Sequence, residues 1–342
     1  MTKIAIIILN WNGLKFLQEF LPSVIAFSDI PDTRIIVADN DSDDDSVKFL
    51  RSNYPSVELI LFKKNLGFAA GYKEALLGVQ AEYFVLLNSD VQVTESWLKP
   101  LIGIMEKDRT IAACMPKIRS FRQKEYFEYA GAAGGFIDIF GYPFCRGRIL
   151  DVIEEDKGQY DDIREIFWAS GACLVIRSSC YFEAGGLDSM FFAHMEEIDL
   201  CWRLHNLGYK VFCVAESVIF QVGGGTLPNN NPHKIYLNHR NNLYVLVKNL
   251  PLLLLLPVIF IRMLLDIMSA VAYLTRGSRD FFLSVLKAHR DLFRNLPALL
   301  GERKNTKNLT GFGHAGKVYI GSIVLDYFIL RKRKFSQIKS LQ

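Results

Sequence analysis

The chain has 342 residues, half of them apolar, with 40 Lys and Arg against 36 Asp and Glu. That apolar content, with only 22% charged residues, excludes a disordered chain and suits one large domain with an appendage, or two domains. The charge is uneven: residues 1–250 carry 25 basic and 31 acidic side chains, and residues 251–342 carry 15 and 5, so a mildly acidic body precedes a basic tail suited to an anionic partner.

In chain order, residues 4–9 form a continuous apolar run that reads as a buried strand. It is too short for the core of a secretory signal and ends in the turn residues Asn10-Trp11-Asn12-Gly13. Leu14, Leu17, Leu21 and Ile25 then recur at helical spacing, with Pro22 as an expected kink. Further strands are expected at residues 35–38, 57–62, 83–87 and 111–115, with helices from Ser46 and over 67–79. Strands alternating with short helices imply a mostly parallel sheet covered on both faces, and such sheets bind ligands beyond the carboxyl ends of their strands. Three of those ends are polar: Asn10; Asp39-Asn40-Asp41-Ser42-Asp43-Asp44-Asp45; and Asn88-Ser89-Asp90. Asp, Asn and Ser are ordinary turn residues, but three such ends on one sheet edge, one with five aspartates, favour a ligand site.

Residues 117–165 show little periodicity and read as a long irregular segment of the lid or binding-loop kind. No two of the six cysteines are spaced C-x-x-C, so buried, reduced thiols are expected. A second acidic cluster opens a helix at Glu196-Glu197-Ile198-Asp199, after Phe191-Phe192. Acids in a first helical turn are favoured by the dipole alone. Adjacent glutamates beside paired phenylalanines also fit a part-shielded general base with a raised pKa. Asp199 and Arg203, spaced i,i+4, can pair, which makes Asp199 a positioning residue. The chemistry that fits is displacement at a sugar's anomeric carbon. Asp90 with Mg²⁺ or Mn²⁺ would steady a departing diphosphate, and Glu197 or Glu196 would deprotonate the attacking hydroxyl.

The stretches Ile7-Ile8-Leu9-Asn10-Trp11-Asn12-Gly13, Val37-Ala38-Asp39-Asn40-Asp41-Ser42-Asp43-Asp44, Asn65-Leu66-Gly67-Phe68-Ala69-Ala70-Gly71, Leu86-Leu87-Asn88-Ser89-Asp90 and 196–203, in this order, resemble family 2 glycosyltransferases of the GT-A fold. The branch resembled is the rhamnosyltransferase-like one of bacterial surface-polysaccharide synthesis. The resemblance spans roughly residues 3–250. It implies a catalytic domain over 1–250, with a nucleotide-sugar half at 1–116 and an acceptor half at 117–250, followed by a helical extension over 251–342. It also implies that Asp39 bonds the nucleotide base, with Asn10, Asn40, Ser42 and Asp44 shaping its pocket. Asn65, Gly67 and Gly71 would lie along the nucleoside and diphosphate, and Asn88, Ser89 and Asp90 at the metal-binding position. Glu197 stands where the family usually has an aspartate base. Gln221, in 220–226, stands where a histidine is common and is a poor metal ligand, whereas His239 and Arg240 would supply positive charge near the diphosphate. A dTDP- or UDP-sugar donor is implied, dTDP-rhamnose among them, with transfer onto a polysaccharide or lipid-linked glycan.

The tail begins with twelve uncharged residues, 250–261, followed by Arg262 and Asp266 and more apolar sequence to 274. A span would bury both charges near its middle, so a helix lying in the membrane interface is expected, with Arg331-Lys332-Arg333-Lys334 meeting anionic headgroups. That gives a cytoplasmic protein, peripheral on the inner face of the cell membrane. A helical pair packed on the body, or used for a homodimer, is the alternative. Nucleic acid fits the long apolar run poorly. Two other activities stay open: a non-catalytic nucleotide-sugar-binding subunit of a membrane assembly, and a nucleotidyltransferase. A dinucleotide dehydrogenase is disfavoured, because no G-x-G-x-x-G follows the first strand.

Overall fold

The computed structural model of the chain describes residues 2–223, 231–303 and 318–338. The first half runs β1 (Ile4–Asn10), α1 (Leu14–Phe27), β2 (Thr33–Asp39), α2 (Ser46–Asn53), β3 (Glu58–Leu61), α3 (Gly67–Leu77), β4 (Tyr83–Asn88), β5 (Val91–Val93), α4 (Leu98–Lys107) and β6 (Ile111–Ser120). Short strands follow: β7 (Gly135–Asp138), β8 (Pro143–Cys145), β9 (Arg148–Ile149), β10 (Val152–Ile153) and β11 (Ile163–Glu165). Next come β12 (Cys173–Arg177), α5 (Ser178–Glu183), α6 (Glu196–Asn206), β13 (Lys210–Gln221) and α7 (Pro232–Asn249). The chain closes with α8 (Leu252–Thr275), α9 (Arg279–Arg303), β14 (Val318–Tyr319) and α10 (Ile323–Phe328).

The main sheet has the order β11-β13-β6-β12-β4-β1-β2-β3, with β5 paired to β13. Its donor side is parallel throughout, β1 pairing with β2 and β4, and β2 with β3. The strands 4–10 and 83–88 are apolar on both faces and buried on both, as a sheet sandwiched between helices requires. In register, Asn10 lies opposite Asp39, and Leu9 opposite Asn88, so all three polar ends meet at one edge.

The expected parallel alternation does not continue past β4. The apolar run of β12 inserts antiparallel between β4 and β6, which brings 170–172 to the rim beside Asn88. Residues 117–165 are also more ordered than their lack of periodicity implies. They supply four strands of a second, five-stranded sheet, β10-β9-β8-β7-β14, whose strands of two to four residues are too short to leave a periodic signal. All six cysteines are free and buried.

The tail is built into this body. Strand β14 pairs with β7, and the Phe335 ring packs on Phe136 and Phe144, with centroids at 5.1 and 6.2 Å. Helix α8 is 24 residues long and apolar enough to cross a membrane by length and composition. One face of it is docked: Leu255, Val258, Arg262, Asp266 and Ala270 are buried. Arg262 bonds Asp266 (3.0 Å) and the Phe140 carbonyl (3.1 Å), and stacks on the Tyr142 ring at 3.8 Å. The opposite face is open, with Leu253 at 92% and Leu256 at 79% exposure.

Candidate active site

The polar edge starts as a hydrogen-bonded lattice. Asn10 Nδ2 donates to Asp39 Oδ2 (2.9 Å) and Ser42 Oγ (3.2 Å), while Asn10 Oδ1 is buried without a partner. Asp39 Oδ1 accepts the Ser42 amide at 3.0 Å, which tightens the turn after β2. Asn40 reaches the next loop: its Oδ1 accepts the Leu66 N–H (2.9 Å), and its Nδ2 donates to Asn65 Oδ1 and the Gly67 carbonyl, both at 3.1 Å. Asn65 Oδ1 in turn accepts the Gly67 N–H at 2.8 Å, and Gly67 adopts φ +78°, where a side chain would be strained.

Two expected donor residues are used by the backbone instead. Asp44 accepts the Leu14 and Ser46 amides, each at 3.0 Å, tying down the starts of α1 and α2; these bonds hold its carboxyl below its ordinary range despite partial burial. Gly71 is buried against β1, where a Cβ would lie 2.9 Å from the Leu9 side chain. Its lack of a side chain lets α3 approach the sheet.

On the other side of the rim, the Asn88 amide donates to the Ala172 carbonyl at 3.0 Å. Ser89 lies beside Asn10: a Cβ on Gly13 would sit 2.4 Å from Asn10 Oδ1 and 3.5 Å from Ser89 Oγ. Asp90 is 8% exposed, and burial raises its pKa. Its Oδ1 accepts Gln221 Nε2 at 3.3 Å, and Gln221 Oε1 is buried and unpartnered.

Glu197 reaches the same rim from α6. A Cβ on Gly171 would lie 3.3 Å from the Phe68 ring of α3 and 4.0 Å from Glu197 Cδ. Gly171 adjoins Ala172, the partner of Asn88, so α6, α3 and the β4 end meet around one short segment. Burial pushes Glu197 up to about 7; burial and the Glu197 charge push the fully enclosed Glu196 well above its ordinary value. Each glutamate has a buried Oε2 without a partner. Asp199 differs. Burial alone would raise it, but Arg203 (2.8 Å) and Lys248 (3.2 Å), with Asn249 (2.8 Å), hold it low and ionised. It ties α6 to α7.

The approach to α6 is strained. Phe192, His194 and Met195 have φ of 65°, 69° and 74°, each costing roughly 1–3 kcal/mol in a non-glycine residue. Asn241, fully buried in α7, compensates: its Nδ2 lies 2.9, 2.7 and 2.7 Å from the carbonyls of Phe191, Ala193 and His194. Phe192 also caps α3, since its carbonyl accepts the Phe68 and Ala69 amides at 2.8 and 3.0 Å. A Cβ on Gly67 would lie 2.5 Å from the Phe192 ring.

His239 and Arg240 fall inside α7 and are spent on internal contacts, a correction to their expected place at a diphosphate. His239 Nδ1 lies 3.1 Å from Asp266, and Arg240 binds the carbonyls of Met190 and Phe191 at 3.1 and 2.9 Å. Both sit in an 18-residue helix that buries the polar residues Asn241, Asn242, Lys248 and Asn249. Of 220–226, residues 224–226 lie outside the described residues. Sequence reasoning also missed Asn241 and Glu128, a buried carboxylate near Asp90. A doubled asparagine inside an apolar helix was the only signal for the first; the second had none. Among the described residues no group of three or more His, Cys, Asp or Glu could hold a metal.

Comparison with known proteins bears on the family and the fold. Residues 5–162 match the model of glycosyl transferase family 2. An N-acetylglucosaminyl-diphospho-decaprenol L-rhamnosyltransferase of Mycobacterium tuberculosis is 23% identical over 71% of this chain and 83% of its own length. The rhamnosyltransferase WbbL of Escherichia coli is 24% identical over 62% and 80%. The solved mannosyltransferase PcManGT from Pyrobaculum calidifontis, in complex with GDP-Man and Mn²⁺, superposes with a TM-score of 0.51 at 12% identity, over 96% of this chain and 88% of that one. The fold is therefore the mixed α/β GT-A type, and residues 5–162 match glycosyl transferase family 2 in a chain similar to rhamnosyltransferases.

Proposed function

We propose that the protein moves a sugar from a dTDP- or UDP-sugar to a hydroxyl of a polysaccharide or lipid-linked glycan, with inversion at the anomeric carbon. The rhamnosyltransferase relatives make dTDP-rhamnose the first donor to test. Asp39, with Asn10, Asn40 and Ser42, forms the base pocket. The turn from Asn65 to Gly67 borders the nucleoside, and Asn88, Ser89 and Asp90 face the diphosphate. The buried carboxylate of Asp90 and the free oxygen of Gln221 suit a hard cation. Such a cation, when bound, would neutralise charge developing on the leaving diphosphate.

Glu197 takes the acceptor's proton. Of the two glutamates it is the one part-open to solvent and beside Gly171, whereas Glu196 is 3% exposed. The observation that carries the reading is this unsatisfied carboxyl, its pKa near 7, set between the donor helix and the end of β4. Its protonated form is inactive as a base, so the rate rises as pH passes through about 7.

The domain division at residue 250, with the tail resting on the membrane, belongs to the same reading. The docked Arg262–Asp266 pair keeps α8 along the body, and its open apolar face with the basic residues after α10 suits the anionic inner surface of the cell membrane.

The test is a panel of UDP-, dTDP- and GDP-sugars, with and without Mn²⁺, followed by thermal shift and by transfer to membrane extracts of the source organism. Glu197→Gln should bind the donor within about threefold of wild type and lose transfer by about 100-fold or more. Retained transfer by that variant removes Glu197 from the mechanism.

A further inference from the structure

Glu128 lies between β6 and β7, 6% exposed, and accepts backbone N–H groups from Ala130 and Tyr129. Its other oxygen faces Gly223: a Cβ there would be 2.5 Å from Glu128 Oε1, and Gly223 has φ +68°. The Gly223 N–H in turn donates to the Asp90 carboxylate. One glycine is therefore wedged between two buried carboxylates that come from distant parts of the chain. Gln221, two residues earlier, holds Asp90 Oδ1 at 3.3 Å and leaves its own Oε1 buried without a partner.

Two buried carboxylates flanking one backbone unit repel each other when both are ionised. A bound cation would reverse that penalty. Mg²⁺ and Mn²⁺ favour hard oxygen ligands, and Mg²⁺ is typically held by one or two carboxylates together with substrate phosphates, not by an all-protein cage. We propose that Glu128 is the second carboxylate of a divalent-cation half-site, shared with Asp90 and the Gln221 oxygen and completed by the donor's diphosphate. The proposal rests on the transferase reading for that diphosphate. Arg148 and Lys234 are the cations whose charge Glu128 feels. Arg148 is engaged by the Leu150 carbonyl, Cys145 and the Tyr129 ring. Neutralisation of Glu128 by Lys234 alone is the competing arrangement.

The experiment is a Mn²⁺ titration of the full chain, followed by the electron paramagnetic resonance of free Mn²⁺, with UDP, dTDP and GDP in separate arms. Glu128→Gln and Asp90→Asn should each weaken Mn²⁺ binding at least about tenfold, Glu197→Gln should change it less than about twofold, and nucleotide affinity without metal should be unaltered in Glu128→Gln. Mn²⁺ affinity in Glu128→Gln within twofold of wild type overturns the site and favours Lys234 as the counter-charge. If that variant does not fold, Fe²⁺-directed backbone cleavage of wild type decides. Cuts near residues 90, 128 and 221–223 together support the site; cuts near 90 without 128 overturn it. Failure of wild type to bind any of the three nucleotides removes the transferase reading and this site with it, whereas nucleotide binding with an unaffected Glu128→Gln removes this site alone.

Discussion

Besides the base role proposed for it, Glu197 carries a linkage effect. Its pKa is raised from an ordinary 4.5 to about 7 in the folded chain. The folded state therefore binds that proton more tightly than the unfolded chain does. The stability it contributes is full below about pH 4.5 and is lost as pH rises through about 7, amounting to up to about 3 kcal/mol. Glu197→Gln should be more stable than wild type at pH 8 and should show a flatter melting temperature between pH 5 and 8; a variant that melts lower at pH 8 contradicts the burial argument. Asn241 makes a different prediction. Asn241→Ala removes the donor shared by three carbonyls around residues held at positive φ. It should cost about 1–3 kcal/mol in stability and lower kcat about tenfold or more with donor KM little changed, because α6 loses its aim while the base pocket stays intact. A KM change at constant kcat would move Asn241 to the donor side.

At the scale of elements, legibility followed periodicity. The first four strands announced themselves because seven or fewer apolar residues ended in polar turns, and the structure keeps those ends at one edge. The second sheet was invisible because strands such as Arg148–Ile149 hold only two residues, too few to leave a periodic signal. Helix α7 is hard to see in the sequence because its buried face carries polar residues. Asn241, Asn242, Lys248 and Asn249 are polar, yet buried, because loops and α6 supply their partners. In helix α8 the two charges of the apolar stretch, Arg262 and Asp266, pair at i,i+4 on the docked face. Its open face makes a direct prediction. Replacing Leu253, Leu256 and Phe260, which are 92%, 79% and 65% exposed, by Glu should abolish sedimentation with phosphatidylglycerol vesicles while leaving the melting temperature within about 2 °C. Sedimentation unchanged by the three substitutions would exclude this face as the lipid contact.

Across the whole molecule, one arrangement joins donor side, acceptor side and tail. The strained loop after the Phe191-Phe192 pair caps α3 through the Phe192 carbonyl, leads into Glu196 and Glu197, and is held by α7, which in turn packs on the helices of the tail. The candidate residues at the strand ends were legible because turn chemistry and acidity coincide there. Glu128, Asn241 and Lys248 were not, since each gains its meaning from a partner 38 to 60 residues or more away. The central claim is spatial: Asp39, Asp90 and Glu197 border one cleft that holds a nucleotide sugar. The most direct measurement is a crystal structure with the donor identified by the panel, bound to the Glu197→Gln variant. The base should contact Asp39, the diphosphate should lie at Asp90, and the anomeric carbon should be within about 6 Å of the residue 197 side chain, leaving room for one acceptor oxygen between them. A donor seated with its anomeric carbon more than about 10 Å from residue 197, or bound outside this cleft, would contradict the account.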